Sequence, residues 1–135
     1  MGSSHTWIEE PAELQLELRA VSQAGIFRQA LDALRERLEE EGAPAGPEAE
    51  RSVEVEATHR AALLAEWLSE LVFLAEMEGL VPESVRDLVV GEDTVTAVVR
   101  GRLGERRHLI KGVSYHDLEL RRDREGWRGK VVLDV

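Results

Sequence analysis

One segment, residues 61–75, is apolar almost all the way round a helix, and it constrains the fold more than any other part of the chain. Its apolar residues do not form a narrow stripe, so the helix that carries them has to be covered by other elements on most sides. We expect Thr58 to cap this helix and Gly79 to end it. Trp67 and Phe73 lie at helical spacing within the segment and are interpreted as core residues rather than as contacts to a cofactor.

Two amphipathic patterns precede that helix. Residues 13–19 alternate polar and apolar without a break, which is the two-residue period of a half-buried strand. Ser22 is then placed to cap a helix, because apolar residues recur at helical spacing from Ile26 to Leu38. Residues 39–47 combine charge with proline and glycine and show no period, so they are interpreted as a loop.

The order of the elements predicts the fold class. The other predicted strands cover residues 53–57, 85–90, 94–103, short pieces of 108–120, and 127–134. Strand and helix therefore alternate twice before a run of strands, in the order β-α-β-α-β(n). This pattern is typical of an α+β fold, and we expect two helices packed on a mainly antiparallel β-sheet.

Composition limits the function classes. The chain has 135 residues, a formal net charge of −10 and no cysteine, and this length corresponds to one domain. Without cysteine the chain has no thiolate zinc site and no cysteine nucleophile, and it suits a reducing, cytoplasmic setting. The acidic balance argues against direct binding of nucleic acid by phosphate neutralisation. No apolar run is long enough for a membrane span, and the first residues do not resemble a secretory signal.

Few side chains point to catalysis. The sequence has no phosphate-binding glycine loop and no HExxH metalloprotease motif. Ser114 and His116 would share a face of an extended segment and could form a hydrolase pair, but structural hydrogen bonding is the favoured interpretation. The segment 111–117 is rich in polar side chains, and it is either an edge strand or loop protected by charge or a patch that contacts a partner or ligand.

The end of the chain brings two carboxylates together. Residues 131–133 are strongly strand-forming, so the terminal carboxylate of Val135 would be held beside the Asp134 side chain. A third carboxylate from a neighbouring strand would complete a site for Ca²⁺, Mg²⁺ or Mn²⁺. The alternative is a frayed terminus whose charges are solvated.

Four segments of the chain match the motifs of one protein family. Residues 7–14 resemble an opening motif, an aromatic residue followed by His-Thr-Ala-Asp or His-Thr-Ala-Glu, and residues 62–71 resemble a leucine-rich Trp-Leu-x-Glu-Leu segment. Residues 110–118 are similar to the signature Ile-Lys-Ala-Val-Thr-Tyr-His-Asp-Leu, and Trp127 with the ending 131–135 matches a closing strand. On these motifs the chain resembles the archease family, small accessory proteins of the RtcB-type, GTP-dependent RNA ligase.

The resemblance implies a metal site and divides the chain. In archeases a divalent metal lies between the acidic residue of the first-strand motif, the penultimate Asp and the final residue. These correspond to Glu13, Asp134 and Val135, so the first and last strands should be neighbours and the cofactor would be a divalent metal, with calcium favoured. Residues 1–12 are interpreted as an N-terminal extension with the start of the first-strand motif, and 13–135 as one archease-like domain.

The chain departs from the family pattern in its first motif. Glu10-Pro11 replaces the His-Thr pair, and Glu13 is one methylene longer than the usual Asp. An alternative alignment on His5-Thr6 is rejected because Trp7 and the alternation from Glu13 fit the first frame. Glu10 then either joins the metal shell or has no role, and a positioning role of the missing His would be lost.

The resemblance also implies a function without catalytic residues of its own. We expect an activator that promotes guanylylation and turnover of an RtcB-type RNA ligase in tRNA splicing or RNA repair. Glu10, Lys111, Tyr115 and His116 are candidates for partner contact or support of the site. The alternative is a general chaperone-like modulator of proteins or nucleic-acid enzymes that acts independently of metal.

Overall fold

The computed structural model describes residues 2–135, which form two helices and seven strands. All strand pairs are antiparallel. The predicted α+β class, with two helices packed on antiparallel sheet, is therefore confirmed. The strands are β1 (Ser4–Glu10), β2 (Glu13–Ala20), β3 (Glu48–Glu56), β4 (Leu80–Val90), β5 (Thr94–Leu103), β6 (Gly112–Asp123) and β7 (Gly126–Asp134), and the helices are α1 (Gln23–Leu38) and α2 (Arg60–Glu78).

The strands form two sheets rather than one. The larger sheet has the order β1-β2-β7-β6 and the smaller has the order β3-β5-β4. Each helix packs against strands of both sheets, so the core lies where helices and sheets meet. Trp67 of α2 is completely buried there, and its indole Nε1 donates a hydrogen bond to the Phe27 carbonyl of α1 at 3.0 Å. The prediction that Trp67 is a core residue is therefore confirmed. The same prediction for Phe73 was wrong, because half of its side chain is exposed (50%).

The first strand begins earlier than the alternating pattern indicated. Residues 4–10, which we interpreted as part of an N-terminal extension, form β1 and pair with β2 along their full length. Residue 1 of that interpretation lies outside the described residues. The strand was missed because only Trp7 and Ile8 interrupt a polar run, and β1 is an edge strand whose side chains are mostly exposed. The observed order therefore has two strands before α1.

The helix ends are satisfied locally. Ser22 caps α1 as predicted, since its hydroxyl accepts a hydrogen bond from the Gly25 amide at 3.0 Å. The predicted cap of α2 was wrong by one residue: His59, not Thr58, accepts from the Ala62 amide through Nδ1. Gly79 ends α2 in the left-handed conformation (φ 70°), as expected for a residue without Cβ.

Strand β4 starts directly after that glycine and contains Pro82. Proline has no N–H to donate to a neighbouring strand, and an edge strand such as β4 tolerates this because it has a neighbour on one side only. The predicted strand covered only residues 85–90, because proline was read as a break. No helix in the described part of the chain is both long and apolar enough to cross a membrane.

Arg107 fastens the end of α1 to the loop before β6. It is buried (6% exposed), and its Nη1 donates to the carbonyls of Leu38 at 3.0 Å and of Gly42 at 2.6 Å. The last carbonyls of a helix have no partner within the helix, so this side chain supplies one from outside.

Replacing Arg107 with methionine is expected to lower the free energy of unfolding by about 1–3 kcal/mol, because the buried Leu38 carbonyl loses its donor. Urea unfolding followed by circular dichroism measures the change. Arg106→Met, at an exposed neighbour, is the control and should change stability by less than about 0.5 kcal/mol. Equal effects of the two substitutions would contradict a capping role.

Candidate metal site at the end of the larger sheet

The pairing of β2 with β7 places two of the predicted ligands opposite each other. Glu13 is the direct partner of Asp134 in this antiparallel register. The Val135 amide donates to the Ala12 carbonyl at 3.1 Å, a bond that flanks the pair from outside. Glu13 and Asp134 therefore form a non-hydrogen-bonded pair, the class in which facing side chains are closest. The expectation that these two strands are neighbours is confirmed.

Both carboxylates lie on the face of the sheet that points away from the helices. Their neighbours in the chain, Leu14 and Leu133, are buried, whereas Glu13 and Asp134 are exposed. Successive side chains on a strand point to opposite faces, so burial of the leucines turns the two acids outward. The arrangement suits groups that receive a ligand from solvent or from a partner.

A third carboxylate belongs to the same row of the sheet. Glu10 of β1 is paired with Glu13 across a two-residue turn made by Pro11 and Ala12. Ala12 has φ 63°, and proline before a residue of positive φ is the signature of a type II turn. Glu10, Glu13 and Asp134 thus lie side by side on three adjacent strands, where like charges repel each other.

These acids differ from most others in the sheets. Glu48 contacts Arg100 at 2.5 Å and Glu50 contacts Arg86 at 2.9 Å. Within residues 2–135, by contrast, no basic side chain lies within 4.0 Å of Glu10, Glu13 or Asp134. A row of uncompensated carboxylates is the donor set that hard divalent cations prefer.

The side chains alone do not complete a metal site. No group of three or more His, Asp or Glu side chains in the described residues is close enough together to hold a metal ion. Glu13 and Asp134 therefore need a further oxygen donor. The terminal carboxylate of Val135, the third member of the predicted set, is the next group along the backbone from Asp134.

The polar segment before and within β6 lies at the same end of the sheet. The Lys111 amide donates to the Asp134 carbonyl at 2.8 Å, and Gly112 is the register partner of Asp134. Beyond Ser114 the pairing with β7 is interrupted until Glu119. Tyr115 is about half exposed (54%) in this irregular stretch, so its side chain is available to a partner.

The irregular stretch also bears on the hydrolase interpretation. The Ser114 hydroxyl accepts a hydrogen bond from the His116 backbone amide at 3.0 Å, and the His116 ring contacts the Asp117 carboxylate at 3.0 Å. Asp117 has φ 56° and lies where the register of β6 with β7 shifts. These contacts give Ser114 a place in the local hydrogen bonding of an irregular strand, which agrees with the structural interpretation of the pair.

Sequence reasoning placed Glu10 among the supporting candidates but did not reveal that it shares a row with both predicted ligands. The signal that would have found this is the Pro-Ala dipeptide, which joins two strands at the required turn.

Comparison with known proteins identifies the family. The model of the Archease protein family (MTH1598/TM1083) matches residues 5–135. Among the relatives, the protein archease of Methanosarcina barkeri is 25% identical over 143 residues, which cover 99% of this chain and 97% of that protein. The protein archease of Methanosarcina acetivorans is 28% identical over 144 residues, with the same coverage of both chains.

Two solved structures share the fold. The solution structure of Methanobacterium thermoautotrophicum protein 1598 matches with a TM-score of 0.69 at 20% identity, covering 97% of this chain and 98% of the other. The crystal structure of an archease, described as a possible chaperone, from Thermotoga maritima matches with a TM-score of 0.61 at 20% identity, covering 95% and 94%.

Proposed function

This chain belongs to the archease family, and we propose on that basis that it activates an RtcB-type, GTP-dependent RNA ligase in the cytoplasm. The activity would be promotion of ligase guanylylation and turnover in tRNA splicing or RNA repair. The observation that carries the proposal is the outward-facing pair of Glu13 and Asp134, which lies where the family resemblance implies a metal.

In this proposal the site holds a divalent cation, with calcium favoured over magnesium and manganese. Glu13 and Asp134 would hold it through their side chains and Val135 through its terminal carboxylate. The support from this chain is chemical: hard oxygen donors, a close cross-strand pair, and a repulsion between carboxylates that a bound cation would relieve. A bound cation stabilises the negative charge that develops in phosphoryl transfer.

The residues around the site would contact the ligase. Lys111 is exposed and anchored by its backbone to the Asp134 strand, and Tyr115 and His116 project from the irregular part of β6. Lys111 supplies a positive charge beside the acidic row, and Tyr115 supplies an aromatic surface with a hydroxyl, a residue type that is enriched at protein interfaces. Glu10 would add charge at the edge of the same surface.

The test is guanylylation of a purified RtcB-type ligase, measured as a single turnover with and without this protein. We expect the wild-type protein to raise the guanylylation rate. We expect the rate increase caused by the double variant Glu13→Ala/Asp134→Ala to be at least about 10-fold smaller. Glu54→Ala/Glu56→Ala, two exposed acids of β3, is the matched control and should stimulate like wild type. Absence of stimulation by the wild-type protein would overturn the activator proposal.

The chaperone-like alternative has its own support. The Thermotoga maritima protein is described as a possible chaperone, and α2 of this chain exposes Phe73 (50%) and Met77 (48%) one turn apart. A binder that works through this apolar surface would be insensitive to the loss of Glu13 and Asp134. Phe73→Ser/Met77→Ser would then abolish the effect on the ligase, whereas the metal-dependent activator would keep it.

A further inference from the structure

We propose that the opposite end of the same sheet face binds the phosphate group of a small phosphorylated ligand. Arg128 of β7 is the direct register partner of Arg19 on β2 and of Arg121 on β6. Three guanidinium groups therefore lie in one row across three adjacent strands, on the face that points away from the helices. Each of them also contacts one carboxylate, so a ligand would be recognised through the guanidinium donors that these contacts leave unused.

Each arginine is held by one acid and keeps donors to spare. Arg128 contacts Asp123 through Nε at 2.5 Å, and Arg121 contacts Glu119 through Nε. Within the described chain, the Nη groups of Arg121 and Arg128 have no hydrogen-bond acceptor. The paired Nη groups of arginine form the planar fork that recognises phosphate oxygens.

The acids balance the charge of the arginines and hold their guanidinium groups in place. The backbone amide of Glu125 and, after it, the Arg128 guanidinium hold the pKa of Asp123 below its usual value, so Asp123 stays a carboxylate. Arg19 is held more loosely, since its Nη1 lies 3.4 Å from the Glu125 carboxylate. An anion would enter on the side of the unused Nη groups.

Two adjoining cavities indicate what kind of ligand would fit the row. A polar cavity of about 120 Å³ is lined by all three arginines and by the hydroxyl side chains of Ser4 and Thr6. A second cavity of about 280 Å³ shares Ser4, Arg19 and Arg128 with it.

The second cavity adds an apolar wall. Val21 is 65% exposed there, and Trp127 is also among the residues that line it. Hydroxyl and guanidinium donors suit a phosphate, and the adjacent wall suits an apolar or aromatic body.

The acids in the walls select against long anions. Glu17 and Glu119 line the polar cavity, and Asp123 and Glu125 line the apolar one. They would repel the additional phosphates of a polyphosphate or a nucleic-acid backbone, whereas a single phosphate brings the least negative charge into the cavities. We therefore assign the site to a phosphomonoester with a compact organic part.

This site is distant from the acidic end of the sheet. Glu13 and Arg19 are six residues apart on β2, which corresponds to about 20 Å at the usual rise of an antiparallel strand. Loss of one site should leave the other intact, so the two proposals succeed or fail separately.

The experiment is calorimetric titration of the metal-free protein with phenyl phosphate, inorganic phosphate and phenol at low ionic strength. We expect phenyl phosphate to bind more tightly than inorganic phosphate and phenol not to bind. Arg19→Met and Arg121→Met, at exposed positions, should each weaken phenyl phosphate binding by about 10-fold. Val21→Ser should weaken phenyl phosphate alone, leaving inorganic phosphate unchanged.

Arg86→Met on the smaller sheet is the matched control, because Arg86 is also exposed and also paired with acids. It should bind phenyl phosphate like wild type, and thermal melting checks that every variant is folded. The proposal is overturned by no binding of phenyl phosphate up to about 10 mM. Equal binding of phenol, or an equal loss in Arg86→Met, would also overturn it, since either shows that the row does not recognise phosphate.

Discussion

Replacing Trp67 with alanine is expected to lower the free energy of unfolding by about 3–5 kcal/mol. The Trp67 side chain is completely buried between the helices and the sheets. Its ring meets Phe27 edge to face, with the centroids 6.1 Å apart at 72°, a geometry worth more than the buried area alone. Removal leaves a large cavity and deprives the Phe27 carbonyl of its indole donor.

Urea unfolding, followed by circular dichroism, measures this loss. Phe73→Ala on the same helix is the control, because half of that side chain is already exposed, and it should cost about 1 kcal/mol or less. A domain of this size has a free energy of unfolding of roughly 5–15 kcal/mol. Trp67→Ala should therefore move the urea midpoint of unfolding to a much lower concentration. A Trp67→Ala protein as stable as Phe73→Ala would contradict the described core.

Substitution of the two acids of the candidate metal site should have opposite effects on stability with and without metal. In a chelator, Glu13→Gln or Asp134→Asn removes repulsion between facing carboxylates and should raise stability by about 0.2–1 kcal/mol. With Ca²⁺, each variant should bind at least about 100-fold more weakly than wild type, because a charged ligand is lost. The wild-type protein gains stability from Ca²⁺ and the variants should not.

Thermal melting in chelator and in Ca²⁺, together with calorimetric titration, tests both signs. Glu54→Gln is the matched control, since it removes an equally exposed carboxylate from the smaller sheet. It should leave Ca²⁺ binding unchanged. Variants that bind Ca²⁺ like wild type, or a wild-type protein whose melting temperature ignores Ca²⁺, would contradict the assignment of these ligands.

The helices and most of the strands could be predicted from the sequence because hydrophobic periodicity and helix caps involve residues that are close together in the chain. The alternation in residues 13–19 reflects one buried face of β2, and Ser22 caps α1 through a contact three residues away. Edge strands were harder. β1 has few apolar residues and β4 begins at a proline-containing stretch, so β1 and the start of β4 do not show the period of a half-buried strand.

Division of the strands into two sheets was also beyond local patterns. Alternation shows that a strand has a buried face but not which strands lie beside it. The smaller sheet joins β3, β5 and β4 through pairings such as Val53 with Ala97, which are far apart in the sequence. Such pairings depend on how the helices fill the space between the sheets.

The acidic end of the larger sheet could be predicted from the sequence, whereas its arginine-rich end could not. Glu13 and Asp134 were predicted as neighbours through the resemblance of the first and last motifs to one family. Nothing comparable pointed to Arg19, Arg121 and Arg128, which become a row only when β2, β7 and β6 adopt their register. The net charge of −10 is a sum over the whole chain, so it does not indicate that three arginines lie together.

The central proposal, a metal-dependent activator of an RNA ligase, is tested most directly through the last proposed ligand. Two glycines added after Val135 would move the terminal carboxylate away from Glu13 and Asp134 while leaving both side chains in place. The measurement is the single-turnover guanylylation rate of an RtcB-type ligase with the wild-type and the extended protein. We predict that the wild-type protein raises the rate and that the extended protein, folded and equally stable in chelator, loses that stimulation. Full stimulation by the extended protein would contradict the account.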